Sequence, residues 1–412
     1  MWGNIAIAFV LSFITAFMAT PYTIKLANKI GAVDVPKDKR RMRKKAMPKF
    51  GGPAVILGFL VATIYLLITM SIEGTINLFN EENYGIKLLG MLLGIIVLEI
   101  VCIRDDIKPI KPITKLIGQL VAAIIVVSFG IRIQHIDIPF LYQIGLNEIF
   151  SLLLTIGWIV GVTNAINLID GLDGLSSGIA MISSLSLLVI FALNGSPIIA
   201  IILAATLAGA IIGFLPFNFS PAKTFIGDTG ANFLGFTLAV ISILGMAKTY
   251  TAAVIVLPVI ILGLPIFDTV AAILRRLIKG KSIKAIFQAD KGHLHHRIVA
   301  KGFSQKKAVL ILYGITAICG ICAIILLESG IWKALSFALI VIAVVMAGYK
   351  NFLRKESHSM EKYECTVCKY IYNPKYGNER NGIAPNTSFH RLPEDWRCPV
   401  CGEGKDVFEL HE

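Results

Sequence analysis

Long apolar runs broken by short polar stretches organise the first 350 residues of this chain. The runs reach about 17 to 21 residues, enough for a helix to cross a hydrocarbon core of roughly 30 Å. The pattern predicts spans near Ile5–Pro21, Ala54–Met70, Ile86–Ile103, Leu116–Phe129, Ile149–Val162, Ile179–Leu193, Pro197–Leu215, Ala231–Met246, Ala252–Phe267, Ala308–Leu327 and Ile331–Tyr349. That makes about eleven transmembrane helices. The first lacks a basic region before it and a small-residue cleavage site after it, so it reads as a retained helix. Residues 361–412 hold no such run.

Composition agrees with the pattern. Hydrophobic residues make up 56% of the chain and charged residues 16%, which excludes an ordinary soluble globule. The expectation is an all-α polytopic membrane protein with a small C-terminal domain: a membrane domain over 1–350, a linker over 351–360 and a tail over 361–412. The net charge of +13 hides an asymmetry, because the tail carries nine acidic and seven basic residues and the rest therefore +15. The basic residues sit in short loops between spans, a pattern of membrane topology and not of nucleic-acid binding.

Between Lys25 and Lys49 there are ten Lys or Arg against two Asp, which the positive-inside rule assigns to the cytoplasm. The N-terminus is then outside and the C-terminus inside. Counting crossings brings the loops holding Asp105–Asp106, Asn164–Gly174, Asn218–Gly230 and Arg275–Lys307 to the cytoplasmic face of the plasma membrane, with the tail.

These four loops carry the candidate chemistry. Asp105 and Asp106 end the third span, and Lys115 and Gln119 lie one and two turns into the next helix. Adjacent carboxylates repel unless a metal or cations lie between them; the plainer reading is a solvated helix end. In NAINLIDGLDGLSSG, Asn164, Asn167, Asp170 and Asp173 recur at steps of three, and Gly171 and Gly174 break the helix and open its backbone amides. Such a loop suits a nucleotide and its metal, whereas helix-end capping explains one or two of the four polar residues. In NFSPAKTFIGDTG, Asp228 stands between two glycines with Phe225 three residues earlier, so a carboxylate can hold a metal while a ring stacks on a base; an ordinary loop Asp is the alternative. In DKGHLHHR, Asp290, His293, His295, His296 and Arg297 fall within eight residues. Three His could hold Zn²⁺, but carboxylates in the other loops favour Mg²⁺, with His and Arg on phosphate. Asp268, at the end of the ninth span, is either a functional intramembrane carboxylate or a helix-end residue reaching water.

Taken in order, GAVDVP with GGPA, RDD with KLIGQ, NAINLIDGLDGLSSG, PAKTFIGDTG and HLHHR resemble the signatures of the polyprenyl-phosphate N-acetylhexosamine-1-phosphate transferases, a family that includes the phospho-MurNAc-pentapeptide translocase. HLHHR is similar to the branch that starts teichoic-acid and O-antigen lipids. The resemblance implies UDP-GlcNAc or a close UDP-HexNAc as donor, undecaprenyl phosphate as acceptor, UMP as by-product, and Mg²⁺, or Mn²⁺ in its place, as cofactor. Carried over by motif, Asp105 and Asp106 lie at the reacting phosphates and Asp228 binds the metal. Gly171, Leu172, Asp173 and Phe225 hold the uracil, Asn167 and Asp170 support metal and nucleotide, and Asn164 belongs with the substrate-binding loop. His293, His295, His296 and Arg297 face the diphosphate or sugar, and Lys115 the lipid phosphate. Two positions depart from the family pattern: Arg43 where a His is usual, and Cys102 where a Gly often precedes the Asp pair. Arg keeps a cation but does not titrate near neutral pH.

Of the seven cysteines, Cys102, Cys319 and Cys322 fall in predicted spans and read as small apolar residues. Cys365, Cys368, Cys398 and Cys401 form two C-x2-C pairs, a tetrathiolate site open to zinc or iron that a domain this small needs as a staple. The surrounding string, with Tyr363, Tyr372, Phe389, Trp396 and Phe408, is similar to rubredoxin. That resemblance implies one Fe and one-electron transfer, with Lys369 standing where Gly is usual; three uses stay open, an anchored carrier for a redox partner protein, a redox or iron sensor acting on the membrane domain, and a passive fusion. Reducing cytoplasm argues against disulfides.

Two other classes compete. A multi-span transporter carrying an electron-transfer domain would place its polar residues near the midplane, whereas here they gather at one face. A membrane redox protein would need haem-ligating His pairs inside spans, and the first 350 residues have none.

Overall fold

The computed structural model describes residues 1–35, 46–78, 83–137, 143–246, 256–280, 292–343, 361–378, 381–385, 387–389 and 392–411. Arg43, Asp290, the linker 351–360 and the end of the last expected span lie outside these. The chain divides into two units, Met1–Ala334 and Leu335–Glu412.

The first unit is a helical bundle. Its helices are α1 (Trp2–Ile30), α2 (Gly52–Ile72), α3 (Tyr84–Ile107), α4 (Pro112–Ser128), α5 (Glu148–Ile169), α6 (Leu175–Leu193), α7 (Ile198–Asn218), α8 (Gly227–Met246), α9 (Val256–Ile261), α10 (Gly263–Gly280), α11 (Leu294–Ala300) and α12 (Gln305–Ser329). A further apolar helix, α13, covers Ile331–Ala343. Eight of these, α1, α2, α3, α5, α6, α7, α8 and α12, are long and apolar enough to cross a membrane. Of the other three expected spans, the fourth is the 17-residue α4, the ninth is split between α9 and α10 at Leu262, and the last is α13 as far as Ala343. Two short antiparallel pairs interrupt the helices, a feature that hydropathy does not report. They are β1 (Val33–Asp34) with β2 (Met47–Pro48), and β3 (His135–Asp137) with β4 (Gln143–Gly145).

Local chemistry explains the boundaries. The Asn147 side chain accepts from the Phe150 amide at 2.8 Å and starts α5, and Ser304 does the same for α12. The polar loop after Ile169 stops α5, and Leu175 restarts the chain as α6, as the two glycines there require.

The bundle is built from inside outwards. In α7 and α8, 83% and 89% of the apolar window is enclosed by protein, against 28% in α1 and α12. The outer helices present Ile7, Val10, Ile14, Leu57, Ile64 and Ile68 outwards, the apolar exterior that lipid requires. Close approach replaces the hydrophobic effect as the packing force between such helices. Gly209 and Gly213 of α7 lie against the Phe9 and Phe13 carbonyls of α1, where a methyl group would overlap backbone. Polar side chains inside the bundle find partners across helices: Thr63 with Thr206 at 3.3 Å, and Trp158 Nε1 donating to Ser242 Oγ at 3.1 Å.

Alternating directions bring the C-terminal ends of α3, α5 and α7 and the N-terminal ends of α2, α4, α6 and α8 to one end of the bundle. Contacts from Lys49 to Asp106, Gln119 to Asn164 and Ser177 to Asn218 hold them there.

The second unit contains a three-stranded antiparallel sheet, ordered β6–β5–β7, from β5 (Tyr363–Cys365), β6 (Ile371–Tyr372) and β7 (Phe408–Leu410). Its core is aromatic: Tyr363 stacks on Phe389 at 4.3 Å, and Trp396 meets Tyr372 and Phe408 edge-on at 5.7 and 5.4 Å. Two similar turns carry the cysteines. In each, the amide of the residue after the second cysteine donates to the carbonyl of the first, Lys369 N to Cys365 O and Gly402 N to Cys398 O, both at 2.9 Å. Gly402 takes φ +79 and Lys369 φ +64. Only the second position is filled by a residue without a Cβ, so Lys369 carries left-handed strain. Lys369→Gly is therefore expected to stabilise the metal-loaded tail by about 1 kcal/mol, read as a higher denaturant midpoint for loss of the metal–thiolate absorption in the full chain.

Candidate active site

The polar end of the bundle is assembled from side chains far apart in sequence. Asp106, 1% exposed at the last turn of α3, accepts from the amides of Asp228 and Thr229 at 2.9 and 3.0 Å and from the Thr229 hydroxyl at 2.6 Å. These amides are the unsatisfied donors of the first turn of α8, so the carboxylate caps that helix and meets its positive end. Lys49 adds a cation 3.7 Å from the same carboxylate. Asp105 does something different. It accepts from the Ile110 amide at 2.8 Å and pairs with Lys115 at 3.1 Å, and Lys115 also bonds Asp228. One ammonium thus ties Asp105 on α3 to Asp228 on α8.

Below this layer lies an amide network. Gln119 donates to Asn232 at 2.8 Å and accepts from Asn164 at 2.6 Å, while Asn232 donates to the Asp228 carbonyl at 2.8 Å. Gln119 and Asn232 stand one helical turn after Lys115 and Asp228, a four-residue spacing that sets the network directly under the charged groups.

The segment from Pro48 to Gly52 is laced onto the Asp228 turn. Phe225 N donates to the Pro48 carbonyl at 2.8 Å, and the amides of Gly51 and Gly52 return to the carbonyls of Phe225 and Ile226 at 3.0 and 2.8 Å. Gly52 and Gly230 pass so closely that a Cβ on either would overlap the other's backbone. This is the physical reason for paired glycines at the start of α2.

The loop between α5 and α6 forms the second part of the site. Asp170 accepts from Ser176 Oγ at 2.6 Å. Its low-dielectric surroundings raise its carboxyl to about 7 against the hydrogen bond from Ser176, and repulsion from Asp228 and Asp106 adds to the rise. Asp173 is buried and accepts from the Ala222 amide at 3.2 Å, joining this loop to the one that carries Phe225. Leu172 packs against the core, Asn167 and Phe225 are half-buried, and Gly171 is exposed.

The HLHHR segment closes the third side. Asp268 on α10 is buried; its carboxylate bonds His293 Nδ1 at 2.8 Å and the Leu294 amide at 2.9 Å. The open question of the sequence is thereby answered: Asp268 does not reach water but seats the histidine segment. The His295 ring lies against Gly171, stacks 5.8 Å from His293, and has neither ring nitrogen bonded among the described residues. Burial pushes its pKa down to about 4, with repulsion from His296 and His293 adding and Asp268 opposing. It is a neutral imidazole at physiological pH. His296 and Arg297 are exposed.

Every candidate residue of the sequence analysis except Asp290 is therefore described, and Asp105, Asp106, Lys115 and Asp228 form one connected cluster. Gln119, noted in the sequence beside Lys115, joins them; so do Lys49, Thr229 and Asn232, and Ser176 holds Asp170, none of these four being among the candidates. The donor set fits a hard divalent cation: carboxylate oxygens of Asp105 and Asp228 share a single ammonium, and the neighbouring side chains are amides and hydroxyls without thiolate. Among the described residues, the tail holds the one close group of metal-ligating side chains, with the sulfurs of Cys365, Cys368, Cys398 and Cys401 all within 4.8 Å of one another. The Cys365–Cys401 and Cys368–Cys398 separations of 3.6 and 3.5 Å approach the roughly 3.8 Å edge of a tetrahedron with 2.3 Å metal–sulfur bonds. Cys319 and Cys322 form no disulfide.

Comparison with known proteins follows the same division. Residues 88–246 match glycosyl transferase family 4 and residues 362–408 match rubredoxin. A probable undecaprenyl-phosphate N-acetylglucosaminyl 1-phosphate transferase of Bacillus subtilis is 36% identical over 365 residues, covering 87% of this chain and 96% of that protein. A decaprenyl-phosphate N-acetylglucosaminephosphotransferase of Mycobacterium tuberculosis is 31% identical, covering 73% of this chain and 77% of its own. A phospho-N-acetylmuramoyl-pentapeptide-transferase of a Geobacillus species is 30% identical, covering 75% and 93%.

The raised carboxyl of Asp170 has a measurable sign. Between about 4 and about 7 the folded chain holds a proton there that the unfolded chain has released, so this group's contribution to stability falls as pH rises through that window. The difference in thermal midpoint between the intact chain and Asp170→Asn in detergent should decline across the window and level off above it.

Proposed function

The chain belongs to glycosyl transferase family 4 and is a multi-pass membrane polyprenyl-phosphate N-acetylhexosamine-1-phosphate transferase with a rubredoxin domain; from that premise we propose that its donor is UDP-GlcNAc and its acceptor undecaprenyl phosphate. The product is undecaprenyl-diphosphate-GlcNAc, which starts a cell-envelope glycan such as teichoic acid or O-antigen, and UMP is released. The observation that carries the reading is the Asp105–Lys115–Asp228 cluster at one end of the bundle, flanked by the two loops and the histidine segment.

In this reading a phosphate oxygen of the lipid attacks the sugar-linked phosphorus, and the bond to UMP breaks in line. A phosphate monoester with a second pKa of about 6 is already mostly dianionic at neutral pH, so positioning matters more than a strong base. Lys115 attracts the lipid phosphate, and Asp105 orients that ammonium. Asp106 acts through the backbone of Asp228, whose helix turn it fixes. Asp228 would hold a Mg²⁺ ion, whose chemistry there would be to neutralise charge on the diphosphate. Asp173, Leu172, Gly171 and Phe225 receive the uracil, while Asn164, Asn167 and Asp170 support the nucleotide side of the site. His293, His296 and Arg297 face the diphosphate or sugar, and His295 offers its unbonded nitrogens to the same ligand. The basic Lys25–Lys49 loop supports a cytoplasmic face for this end of the bundle, where a soluble nucleotide sugar is available.

The tail is proposed to hold one Fe through its four cysteines and to exchange single electrons with a separate redox protein. Amides of Cys368 and Val367 point at the Cys365 sulfur, a donor arrangement that suits a thiolate bound to metal.

UMP release by the purified full chain tests the transfer. It should require UDP-GlcNAc, undecaprenyl phosphate and Mg²⁺, stop on chelation, and fall at least about 100-fold in Asp228→Ala. Release that is independent of the lipid, or unaffected in Asp228→Ala, would refute the assignment.

A further inference from the structure

The twelfth helix contributes to the nucleotide side of the site, although no candidate residue lies on it. Tyr313, in the third turn of α12, donates its hydroxyl to the carbonyl of Gly174. Gly174 ends the DGLDG loop in a left-handed conformation, φ +76 and ψ −1, and is the N-cap of α6. Its carbonyl already accepts from the Gly178 amide at 2.9 Å, so the tyrosine takes the second lone pair of the same oxygen. Space for the ring is cut into α6: a Cβ on Gly178 would fall on the phenol carbon and oxygen of Tyr313.

The same ring reaches the other nucleotide loop. Tyr313 and Phe219 pack with centroids 6.4 Å apart, Lys306 of α12 lies 5.8 Å over the Phe219 ring, and the Phe219 backbone passes beside Gly174. Behind these contacts Ser177 donates to Asn218 at 2.8 Å and Asn218 to the Thr224 carbonyl at 3.0 Å, while Asp173 takes the Ala222 amide. The loops assigned to the uracil are thus stitched to each other, and α12 fastens both from outside.

We propose that Tyr313 is a positioning residue for the nucleoside end of the UDP-sugar, holding Gly174, and through it the adjacent Asp173, in the geometry that receives the base. The inference rests on the transferase reading for the identity of the ligand and on the Tyr313–Gly174–Phe219 contacts for the role. Tyr313 touches neither the Asp105–Lys115–Asp228 cluster nor the lipid phosphate in this arrangement, so its loss should act on one substrate alone.

Steady-state kinetics of the full chain separate that role from general packing. Tyr313→Phe keeps the ring and removes the hydroxyl. It should raise KM for UDP-GlcNAc about 3- to 10-fold, the range of one net hydrogen bond, and leave kcat and KM for undecaprenyl phosphate within about twofold. Gly178→Ala, which forces the ring away, should show the same split. Calorimetric binding of UMP reads the contact without turnover and should weaken by the same factor in both variants. Unchanged KM for UDP-GlcNAc and unchanged UMP binding in Tyr313→Phe would overturn the proposal, as would equal rises in both KM values with a fall in kcat. An intact chain that binds UMP but transfers nothing would count against the transferase reading alone, and one that fails to bind UMP would refute both.

Discussion

The carboxylate of Asp106 is the joint on which this end of the molecule depends. It lies at the last turn of α3, yet its bonds go to the first turn of α8, and Lys49 from the segment before α2 approaches it as well. A buried carboxylate is costly unless it is hydrogen-bonded and neutralised. Here the helix terminus supplies donors and a positive end that need a partner in turn. The same bonds fix the backbone of Asp228 and thereby the direction of its side chain towards Lys115 and Asp105. Two adjacent aspartates in sequence thus do different work: Asp106 caps α8, and Asp105 pairs with Lys115.

Eight of the expected spans were legible in the sequence because lipid imposes a length and an apolar composition on any helix that crosses it. The polar loops were legible because carboxylates, amides and paired glycines are rare enough between such helices to stand out. The pairings were not. Lys115 meets Asp228 across 113 residues and Gln119 meets Asn164 across 45, and nothing local in any of the motifs selects these partners. Asp268 illustrates the difference: its position at the end of the expected ninth span is equally consistent with water and with His293, and only the folding of the histidine segment back onto α10 decides. Thr229 and Ser176 escaped notice because hydroxyls in helix starts are common. The break at Leu262 was hidden by a continuous apolar run, which carries no local signal for it. The two β pairs, two or three residues per strand, are too short to generate a periodic signal.

The two units solve the same problem of fixing charge by opposite means. The bundle neutralises buried carboxylates with one shared ammonium and a helix terminus, within a scaffold large enough to exclude water. The tail has few residues to bury, so it relies on four sulfurs and a stacked aromatic core. Its paired turns show how little sequence is needed to build such a site, and Lys369 shows that the backbone geometry is retained even where the side chain opposes it.

The position of α8 has a consequence for how the protein is made. It is the least apolar of the eight long helices and the most enclosed, carrying Asn232, Thr237 and Ser242 into the interior. Alone in a bilayer, such a segment would bring an amide and two hydroxyls into contact with hydrocarbon that offers them nothing. Its place in the membrane is therefore secured by neighbours, α2, α3 and α5 among them, that have already inserted. The helix that bears Asp228 is thus held in the membrane by the same packing that assembles the polar end of the bundle, so correct assembly and the geometry of that end become one event.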